Sequence, residues 1–559
     1  MELITSEVFM SFDYPYWSLL LSLLLPFATA SARQVDFDML AVGGGAAGLT
    51  TVYMAHKAGL KAGVLEAAPT PGGRIQSIEV NGYQQSRGPQ FVLNNQAYED
   101  FGHLAREVGV DKKKRGLSEI RVVYVDGDFR QVDESDPYGS FYAGLVTDFY
   151  DPVRSKPGAA KSATQDLLSA MKAYLDPDSM AQGGKIVRAF QKVFGITKGL
   201  RLDEVEGWEK LEDGEGAMAW MQKAENYGPI GAKRVGVPAM KNLFFKIMSK
   251  PFLFWMISNA DPKRTDNGAP LRWSVIEGGY QSFINAVAAK LPPESIMTNS
   301  PVKSVRQRKG YVKVTLENGK ILTAKRVVMA TPGPIMKEQL GGTVPEFNHL
   351  LDTLKYASTG VINIVTNQNY RKVLGKAYMI SILTPVGRGI ITAASIESGK
   401  YVSFPYDAPT ELIGVHLHSG VIEKFIEENH GDEAAAKKAI EDEVKLEMAI
   451  ILKDPNFSNN VNINTVFHHN AISDIQEGVL TEMARANRAQ FDPEDPEFVK
   501  DRRIFAAGDA FTWSAVGPVV HGAIRAAVAI VKKEKGEDAA RAIMQWGSNC
   551  QRALAAPGN

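Results

Sequence analysis

The chain has 559 residues, of which 45% are apolar, so it can bury a large core, and its length favours two or more domains. Lys plus Arg equals Asp plus Glu at 63 each, so no overall charge would attract nucleic acid or an acidic membrane. Cys550 is the only cysteine, which excludes an internal disulfide, a cysteine-based metal site and a C-x-x-C redox pair. We expect no metal site, and any redox chemistry needs a bound cofactor.

The N-terminal segment resembles a secretory signal peptide. Residues 17–32, WSLLLSLLLPFATASA, are too short to span a bilayer comfortably and end in small residues of A-x-A type at Ala30 and Ala32. No Lys or Arg precedes Arg33, so an uncleaved anchor or a misassigned start codon stays open. We expect residues 1–32 to be removed, no membrane span to remain, and the protein to be secreted or to reside in the lumen of the secretory pathway.

A glycine-rich stretch follows, between a predicted strand and a predicted helix. The sequence DMLAV, which ends at Val42, is typical of a short buried strand, and residues 46–58 form a helical pattern without an interior proline. Gly43, Gly45 and Gly48 fit G-x-G-x-x-G, in which the first glycine makes the turn, the second admits a pyrophosphate and the third lets helix and strand pack closely. A plain strand-to-helix turn is the alternative interpretation.

The next segment completes a βαβ unit. The sequence KAGVLEAA predicts a second short strand that ends at Glu66, roughly 20 residues after the glycines, where a carboxylate accepts hydrogen bonds from an adenosine ribose. The start of the intervening helix presents unpaired N–H groups and the positive end of its dipole to an anion. The sequence therefore predicts dinucleotide binding at this turn, although an acid at a strand end is also typical of a solvated surface.

Segments that resemble this cofactor-binding unit, with a strand, a glycine turn and a helix, occur three times in widely separated parts of the chain. The second includes YVKVTL and KILTAKRVVMA on either side of ENG, an alternation that predicts a β-hairpin. The third begins with RRIFAAGDAF. Between them lie β-rich runs such as GVINIVTNQ and a charged helix, GDEAAAKKAIEDEVKLEMAIIL. This alternation predicts a cofactor domain that is interrupted twice by a second domain, with a ligand bound between the two.

The predicted organisation has six consecutive ranges. They are the signal peptide (1–32), the first part of the cofactor domain (33–110), a helical first part of the substrate domain (111–266), the second part of the cofactor domain (267–332), the second part of the substrate domain (333–469), and the last part of the cofactor domain with the C-terminal tail (470–559). The basic run DKKKRG, residues 111–116, is predicted to be a solvated loop. One glycosylation sequon, N-F-S, begins at Asn456.

Beyond Glu66 the chain continues APTPGGRIQS, and the succession G-x-G-x-x-G, Glu, G-G-R-x-x-S resembles the FAD-binding signature of the flavin amine oxidase superfamily. Three later stretches, GGYQSFINAVAAKL, PVKSV and IFAAGDAF, also resemble it. That superfamily includes monoamine, polyamine and L-amino acid oxidases, phytoene desaturase-like enzymes and protoporphyrinogen oxidase. The resemblance implies an α/β, two-domain FAD-binding Rossmann-like fold of the GR2 type, with a discontinuous cofactor domain and an α+β substrate domain.

The resemblance also implies FAD as the cofactor and places its contacts. The implied contacts are Gly43, Gly45, Ala47, Gly48, Glu66, Gly73, Arg74, Val302, Gly508, Asp509 and Val520. Arg74 is a cation that can neutralise the pyrophosphate, with a surface ion pair as its ordinary alternative. Asp509 can accept from a ribityl hydroxyl or cap a helix, while Val302 and Val520 would act through their backbones. Because Cys550 lies beyond the last cofactor helix, we expect FAD to be noncovalent.

Two positions depart from the amine oxidase pattern. Many amine oxidases have a lysine on a strand of the substrate domain, where Val361 stands here, and an aromatic residue beside the flavin, where Val519 stands in GPVVHGA. Both departures count against a simple amine substrate. Residues 88–91, GPQF, resemble the family's loop beside the isoalloxazine ring.

No catalytic residue is assigned, and His521 is the one candidate. It either packs at a helix or contacts the flavin or the substrate. His468 and His469 are adjacent on a predicted strand, so they point in opposite directions and are predicted to be structural rather than to share a metal. Some aromatic side chains are candidates to line an apolar substrate cavity, although such residues more often belong to a core. They are Tyr356, Phe404 and Trp513.

The sequence predicts an FAD-dependent oxidase or dehydrogenase that removes a hydride equivalent from an amine, an amino acid or a related nitrogen-containing small molecule, with O2 as the expected acceptor. Three alternatives stay open. They are oxidation or oxidative ring closure of a bulkier natural-product intermediate, as in β-cyclopiazonate dehydrogenase relatives, a prenylcysteine oxidase-like reaction, and a binding protein that retains FAD without catalysis. We expect no nucleic-acid partner, and the oligomeric state is left open.

Overall fold

The structure, a computed structural model, describes the chain on both sides of residues 132–264. The described residues are 35–90, 92–93, 98–110, 114–116, 119–125, 128–131, 265–266, 269–270, 273–370, 379–383, 389–398, 404–405, 407–417, 420–474, 479–512 and 514–544. The predictions for the signal peptide, for Trp513, for Cys550 and for most of the range 111–266 lie outside these residues.

Strands and helices both occur throughout the described residues. The strands are β1 (Phe37–Val42), β2 (Ala62–Leu65), β3 (Ser77–Val80), β4 (Tyr83–Ser86), β5 (Val92–Leu93), β6 (Lys114–Gly116), β7 (Glu119–Val125), β8 (Asp128–Gln131), β9 (Thr265–Asp266), β10 (Ala269–Pro270), β11 (Trp273–Ile276), β12 (Ile296–Met297), β13 (Val302–Arg308), β14 (Tyr311–Leu316), β15 (Ile321–Met329), β16 (Lys355–Thr366), β17 (Met379–Leu383), β18 (Ile391–Ile396), β19 (Glu411–Leu417), β20 (Val461–Asp474) and β21 (Ile504–Ala506). The helices are α1 (Ala46–Lys57), α2 (Glu99–Glu107), α3 (Gly279–Ala288), α4 (Gly333–Leu340), α5 (Pro345–Thr353), α6 (Val421–Glu428), α7 (Glu433–Ile451), α8 (Val479–Phe491), α9 (Val516–Lys535) and α10 (Glu537–Ala542).

The first sheet gathers strands from three distant parts of the chain. Its order is β12-β2-β1-β15-β14-β13, and β21 also pairs with β15. The strands β12, β2, β1 and β21 run parallel to β15, whereas β14 pairs with it antiparallel. One edge of β15 serves two neighbours because residues 321–324 pair with β14 and residues 327–329 pair with β21. The predicted hairpin around ENG is confirmed by β14 and β15.

Helices cover the parallel part of the first sheet. The residues of β2 and the last four of β1 are buried, as expected for parallel strands that are covered on both faces. The helices α1 and α9 pack against each other, and α9 buries the small residues Ala523 and Ala527. The hydroxyl of Thr51 in α1 donates to the carbonyl of Ala47 at 2.8 Å and lies 3.5 Å from that of Ala523. This close packing fixes the direction in which α1 leaves the glycine turn.

A second, mostly antiparallel sheet is built from the intervening regions. Its order is β20-β16-β19-β18-β17-β7-β8, and only β17 and β7 pair in parallel. Ile362 and Ile364 of β16 share an apolar core with Val444 and Met448 of α7. Alternate residues of a strand point to opposite faces, so Val361 lies on the other face. The second sheet is therefore a layer between the helices α6 and α7 on one side and a cavity on the other.

The structure differs from the sequence prediction at two places along the chain. The basic run DKKKRG was predicted to be a solvated loop, but Lys114–Gly116 forms β6 and pairs with β11. The strand β20 crosses the predicted boundary at 469–470, because it pairs with β16 from residue 461 to residue 474. In both cases the pairing partner is distant in sequence, so local composition does not reveal it.

Within the residues that the structure describes, every helix is too short or too polar to cross a membrane.

A carboxyl group on α7 is predicted to make stability depend on pH. Glu447 accepts hydrogen bonds from the backbone N–H groups of Ile390 and Ile391 at the start of β18, the latter at 3.1 Å. Burial raises the pKa of Glu447 to about 7, although the two backbone hydrogen bonds act in the opposite direction. Because the unfolded chain releases this proton near pH 4.5, the folded protein should lose stability as the pH rises from about 4.5 through about 7.

The Glu447→Gln variant should remove that dependence, because glutamine stays neutral at every pH. We expect urea unfolding to show a loss on the order of 2 kcal/mol between pH 5 and pH 8 for the wild type and a smaller loss for the variant. The matched control is Asp442→Asn on the exposed side of the same helix. Equal losses in the wild type and in the Glu447→Gln variant would contradict the prediction.

Candidate functional site

A cavity of about 670 Å³ lies between the two sheets. The carboxyl ends of β1, β2 and β15 open onto it, which is where ligands bind in parallel α/β sheets. One face of the second sheet forms another wall through β16, β19 and β20. The predicted cofactor contacts that line the cavity are Gly43, Gly45, Ala47, Glu66, Gly73, Arg74, Val302, Gly508 and Asp509. The structure therefore brings together residues from all three predicted parts of the cofactor domain.

The first and third glycines of the motif, Gly43 and Gly48, are required for reasons internal to the protein. Gly43 has a φ of 107°, which side-chain-bearing residues rarely adopt. A Cβ on Gly48 would lie 1.9 Å from the carbonyl oxygen of Gly43, so Gly48 allows α1 to pack on the turn. Gly48 lies beneath the turn and is buried, and it does not line the cavity. These two glycines fit the roles that the motif predicts for its first and third positions.

Gly45 is different, because the protein itself leaves room for a side chain there. Its backbone has φ −75° and ψ −172°, an extended conformation open to any residue. A Cβ would meet a single protein atom within 4 Å, the carbonyl oxygen of Gly72 at 3.8 Å. Gly45 lines the cavity, so a side chain would occupy cavity space. The open space at Gly45 therefore suits a ligand that touches the backbone.

Glu66 stands at the end of β2 and is held by the backbone. One carboxylate oxygen accepts from the N–H of Gly44 at 2.7 Å and the other accepts from the N–H of Ala68 at 2.8 Å. Each oxygen of a carboxylate has a second lone pair that can accept. Glu66 is buried apart from the portion that lines the cavity. The two oxygens can therefore receive a pair of ligand hydroxyl groups, as the sequence prediction requires.

Arg74 and Asp509 form a bidentate ion pair at the cavity. The distances are 2.7 Å from Nη1 to Oδ2 and 2.8 Å from Nη2 to Oδ1, and Arg74 Nη1 also donates to the carbonyl of Ala471. The Asp509 side chain is 3% exposed and that of Arg74 is 34% exposed, and both residues line the cavity. The ion pair therefore lies at the cavity and not on the outer surface, which contradicts the alternative interpretation of Arg74 as part of a surface ion pair.

The surroundings of this pair keep Arg74 charged. Desolvation acts to lower the pKa of Arg74, but the charge and hydrogen bonds of Asp509 outweigh it and raise that pKa. Ser514 Oγ donates to Asp509 Oδ2 at 3.2 Å. Burial, followed by the Asp509 carboxylate, raises the pKa of the Tyr356 phenol. Tyr356 accepts a hydrogen bond from the Gly333 N–H at 3.1 Å and is hydrogen-bonded to Asp509. Tyr356 does not itself line the cavity.

The second sheet and the first turn of α9 form the opposite wall of the cavity. Val361 on β16 and Val519 on α9, the two positions that the sequence prediction compared with a family lysine and a family aromatic residue, both line the cavity. His416 lies opposite Val361 in the pairing of β16 with β19, and His468 lies opposite Thr359 in the pairing of β16 with β20. The sequence analysis missed His416 and assigned His468 a structural role. The alternation of side chains along a strand indicates that each histidine faces one side of the sheet. Deciding which side requires the pairing registers of β16, β19 and β20, which are distant in sequence.

His468 is neutral and half-buried, and its tautomer is defined by one contact. Burial lowers its pKa, and the positive charges of Arg74 and Arg87 lower it further. The hydrogen bond with the Arg87 carbonyl acts in the opposite direction. Nε2 lies 2.5 Å from that carbonyl oxygen, which can only accept, so Nε2 carries the proton and Nδ1 is left as an acceptor. His469 is exposed and lies 3.5 Å from a carboxylate oxygen of Glu433. The two histidines point in opposite directions, as predicted.

His521 and Val520 lie away from the cavity lining. His521 Nδ1 is 2.5 Å from Asp100 Oδ2, a contact that favours the packing role over a catalytic one. Val520 is fully buried, and as the fifth residue of α9 its N–H bonds within the helix. The first turn faces the cavity instead, through residues 515, 516 and 519. The backbone N–H groups of residues 516 and 517 donate hydrogen bonds to the Tyr98 phenol. Burial raises the pKa of Tyr98 to about 12.

The remaining predictions divide between the cavity and the core. Gly88, Pro89 and Gln90 line the cavity, as expected for the GPQF loop. Val302 lines it at the start of β13, and its carbonyl accepts from Gln339 Nε2 at 3.1 Å. Phe404 packs in a small apolar cluster with Leu412 and Tyr83 and does not line the cavity. Among the described residues, no three His, Cys, Asp or Glu side chains converge as metal ligands do.

Comparison with known proteins assigns the family. The family model described as flavin containing amine oxidoreductase matches residues 46–531, which is most of the chain. The chain belongs to this family. A curated relative, the probable flavin-containing monoamine oxidase A of Dictyostelium discoideum, is 23% identical over 302 residues. The alignment covers 53% of this chain and 57% of that protein, so it spans little more than half of the relative.

Solved structures of the family share the fold. A putative protoporphyrinogen oxidase from Exiguobacterium sp. 255-15 has a TM-score of 0.58 and 15% identity. Cyclohexylamine oxidase from Brevibacterium oxydans IH-35A has a TM-score of 0.55, and wild-type putrescine oxidase bound to putrescine has one of 0.57, each with 14% identity. Each comparison covers 89% of this chain and 99% of the other. The predicted family and fold class are confirmed, and the family is one of flavin-containing oxidoreductases.

The contrast between Gly45 and Gly48 gives a test of the cofactor cradle. We expect Gly45→Ala to leave the flavin-free protein as stable as the wild type, or up to about 1 kcal/mol more stable, because alanine restricts the unfolded chain. Flavin affinity should fall at least about tenfold, equivalent to 1.4 kcal/mol, because the methyl group displaces the ligand. Urea unfolding of the flavin-free protein and equilibrium titration with flavin measure the two effects.

Gly48→Ala is the matched control. Its Cβ has no space within the protein, so it should destabilise the flavin-free protein by about 1–3 kcal/mol. If Gly45→Ala destabilises the flavin-free protein to the same extent, the gap at Gly45 is required by the protein itself and not by a ligand.

The Arg74–Asp509 pair should contribute to the stability of the whole chain. Asp509→Asn leaves a guanidinium at the cavity without its counter-ion, so we expect a loss of about 2 kcal/mol in the free energy of unfolding and lower flavin occupancy. Asp352→Asn is the control, because the exposed Lys337–Asp352 pair, at 56% and 59% exposure, should contribute less than about 0.5 kcal/mol. Similar effects of the two substitutions in denaturant unfolding would refute this role.

Proposed function

We propose that the protein is an oxidoreductase with noncovalent FAD that removes a hydride equivalent from a carbon next to nitrogen in an amine, an amino acid or a related small molecule. We propose O2 as the electron acceptor. The observation that carries this proposal is Gly45, where the protein provides a bare backbone and open space at the end of a parallel strand and the start of a helix. That arrangement suits a pyrophosphate.

The cavity residues supply the other contacts that FAD requires. Glu66 has acceptor capacity for ribose hydroxyls, and Arg74 carries a positive charge beside the glycine turn. Arg74 is held in place by Asp509, so its charge is oriented before a ligand arrives. When bound, FAD would supply the hydride-accepting chemistry that this chain lacks in its own side chains.

The second sheet would form the substrate wall. Val361 on this sheet and Val519 on the neighbouring helix α9 make that part of the cavity wall apolar. His468 is neutral because burial lowers its pKa, so it adds no fixed positive charge opposite an amine. Its Nδ1 atom can accept a hydrogen bond from a substrate N–H group. The wall therefore orients a neutral nitrogen group without needing a titrating base at physiological pH.

A second candidate function is oxidation or oxidative ring closure of a bulkier, less basic natural-product intermediate. The observation that favours it is the pair of valines at positions 361 and 519, both on the cavity wall. An apolar wall of this kind suits an extended ring system as well as an alkylamine. A prenylcysteine oxidase-like reaction and a carrier that retains FAD without catalysis are further outcomes of the screen below.

The decisive experiment combines a visible spectrum with a substrate screen. The purified protein should show an oxidised-flavin spectrum, and acid precipitation should release the flavin into the supernatant, as expected for a noncovalent cofactor. We expect peroxide release with at least one member of a panel of amines, amino acids, prenylcysteine and indole tetramic acids. The matched control is Gly45→Leu, which should fold but carry no flavin.

The outcomes separate the candidate functions. Bleaching by amines or amino acids supports the leading proposal, and bleaching by the tetramic acids supports the second candidate. A normal flavin spectrum that no compound bleaches supports a carrier. Full flavin occupancy in Gly45→Leu would show that the pyrophosphate does not lie at the glycine turn.

We also propose that the protein enters the secretory pathway and is glycosylated. The apolar segment at residues 17–32 supports entry, and Asn456 and Ser458 of the sequon are exposed. Expression in a eukaryotic host should yield a mature N-terminus after Ala30 or Ala32, measured by N-terminal sequencing. Asn456→Gln should then increase electrophoretic mobility, and an unprocessed, unglycosylated product would contradict the proposal.

A further inference from the structure

Thr359 and His468 are neighbours on the cavity face of the second sheet. They lie directly opposite each other where β16 pairs with β20, and both line the cavity. Side chains in such a cross-strand pair have Cβ atoms about 4.5–5.5 Å apart. The next position, Gly360, faces the other way, because a Cβ there would lie 2.6 Å from Leu417 in the apolar core. The two polar side chains are therefore open to the same part of the cavity.

A bulge in β20 interrupts the pairing immediately after His468. The register shifts there, so that residues 469–471 of β20 stand opposite Ser358 alone. Asn470 has a φ of 53°, a left-handed conformation that asparagine adopts more readily than most residues. Bulges are common beside active sites, where they change the direction of side chains. Thr359 and His468 are thus the last regular pair before a feature that is typical of binding sites.

Each of these two side chains has an acceptor atom that is open to the cavity. The proton on His468 Nε2 is directed at the Arg87 carbonyl, which leaves Nδ1 as an acceptor. Thr359 Oγ1 has no hydrogen-bond partner among the residues that the structure describes, and a hydroxyl oxygen can accept. Neither atom is enclosed by protein, and both residues are partly exposed. Because the two atoms do not bond each other, one small group placed between them can reach both.

The charges near His468 favour an uncharged ligand group. Burial, followed by the positive charges of Arg74 and Arg87, lowers the pKa of His468. Charges that disfavour a proton on this ring also disfavour a cationic group placed against it. The free positions on the wall are acceptors, so the group that fits them is neutral and donates hydrogen bonds.

We propose that Thr359 and His468 hold the two N–H groups of a neutral primary amine, so that the preferred substrate carries a primary amino group and not an N-alkylated one. One N–H would donate to His468 Nδ1 and the other to Thr359 Oγ1, and the nitrogen lone pair would point away from the wall. One N-methyl group would leave one acceptor without a donor, and two would leave both without one. The proposal rests on the proposed function and specifies its substrate class.

The test uses three amines with the same tertiary alkyl group, which are the primary amine and its N-methyl and N,N-dimethyl derivatives. The alkyl carbon next to nitrogen carries no hydrogen, so it cannot be oxidised, and the three amines ionise at similar pH. Binding to the flavin-loaded protein is measured by calorimetry, and turnover is measured separately as peroxide release from unbranched primary amines. For the wild type, we expect each N-methyl group to weaken binding at least about fivefold.

Single and double variants count the acceptors. Thr359→Val removes the hydroxyl and leaves one acceptor, so the primary and N-methyl amines should bind equally and the dimethyl amine more weakly. His468→Leu should give the same pattern, and the double variant should show no preference. Thr359→Ser keeps the hydroxyl and should keep the wild-type order. The matched control is Thr315→Val on β14, which does not line the cavity and should change none of the three affinities.

A stability measurement separates substrate binding from a structural role. The hydroxyl of Thr359 has no partner in the protein, so the melting temperature of flavin-loaded Thr359→Val should lie within a few degrees of that of the wild type. A large fall in melting temperature in both Thr359→Val and Thr359→Ser, with the wild-type order of binding retained, would assign Thr359 to the framework and overturn the subsite.

The remaining outcomes distinguish this proposal from the proposed function. If the order of binding changes as expected in the variants but unbranched amines release no peroxide, the subsite stands and amine oxidation does not. If amines are oxidised and N-methylation leaves binding unchanged or strengthens it, the subsite is overturned and the function stands. A wild-type order that persists in Thr359→Val would reflect the size of the methyl group, and it would also overturn the subsite, as would the failure of all three probes to bind.

Discussion

The ion pair between Arg74 and Asp509 is the contact on which the cavity depends. It joins two residues that are 435 positions apart in the chain, and each belongs to a loop that follows a strand of the first sheet. A bidentate guanidinium–carboxylate pair fixes both distance and orientation. Because Arg74 also bonds the carbonyl of Ala471 at the end of β20, the same side chain connects the first sheet to the second. The cavity walls therefore have a fixed relation to each other.

The two walls of the cavity have different physical characters. The first-sheet wall is made of bare backbone, a carboxylate held by N–H groups and a paired arginine, which suits a phosphate-bearing nucleotide. The second-sheet wall offers Val361, Thr359 and a neutral His468. A cofactor on one wall and an organic molecule on the other would meet in the middle, where the residues of the GPQF loop also lie. Under the proposed function, this division would assign cofactor binding and substrate recognition to separate parts of the chain.

Local patterns in the sequence predicted the elements of the first sheet and most of its cavity lining. Each depends on residues close together in the chain, such as the glycine turn with its strand and helix, the hairpin around ENG, and the acid at the end of β2. Features that depend on pairing between distant strands were missed. The strand β6, the continuation of β20 through residue 469 and the place of His416 opposite Val361 are examples. A one-residue change of register would put His416 on the opposite face.

By itself, the sequence determined that this protein has a glycine turn between a strand and a helix, an amine oxidase-like arrangement of motifs, and valines at positions 361 and 519. These follow from short stretches whose conformation is set by steric and hydrogen-bonding preferences of neighbouring residues. Only the tertiary structure decided that Gly45 has free space while Gly48 has none, that Asp509 is bound to Arg74, and that Thr359 lies opposite His468. Those properties are distances between atoms far apart in the chain, and they exist only after the two sheets have packed.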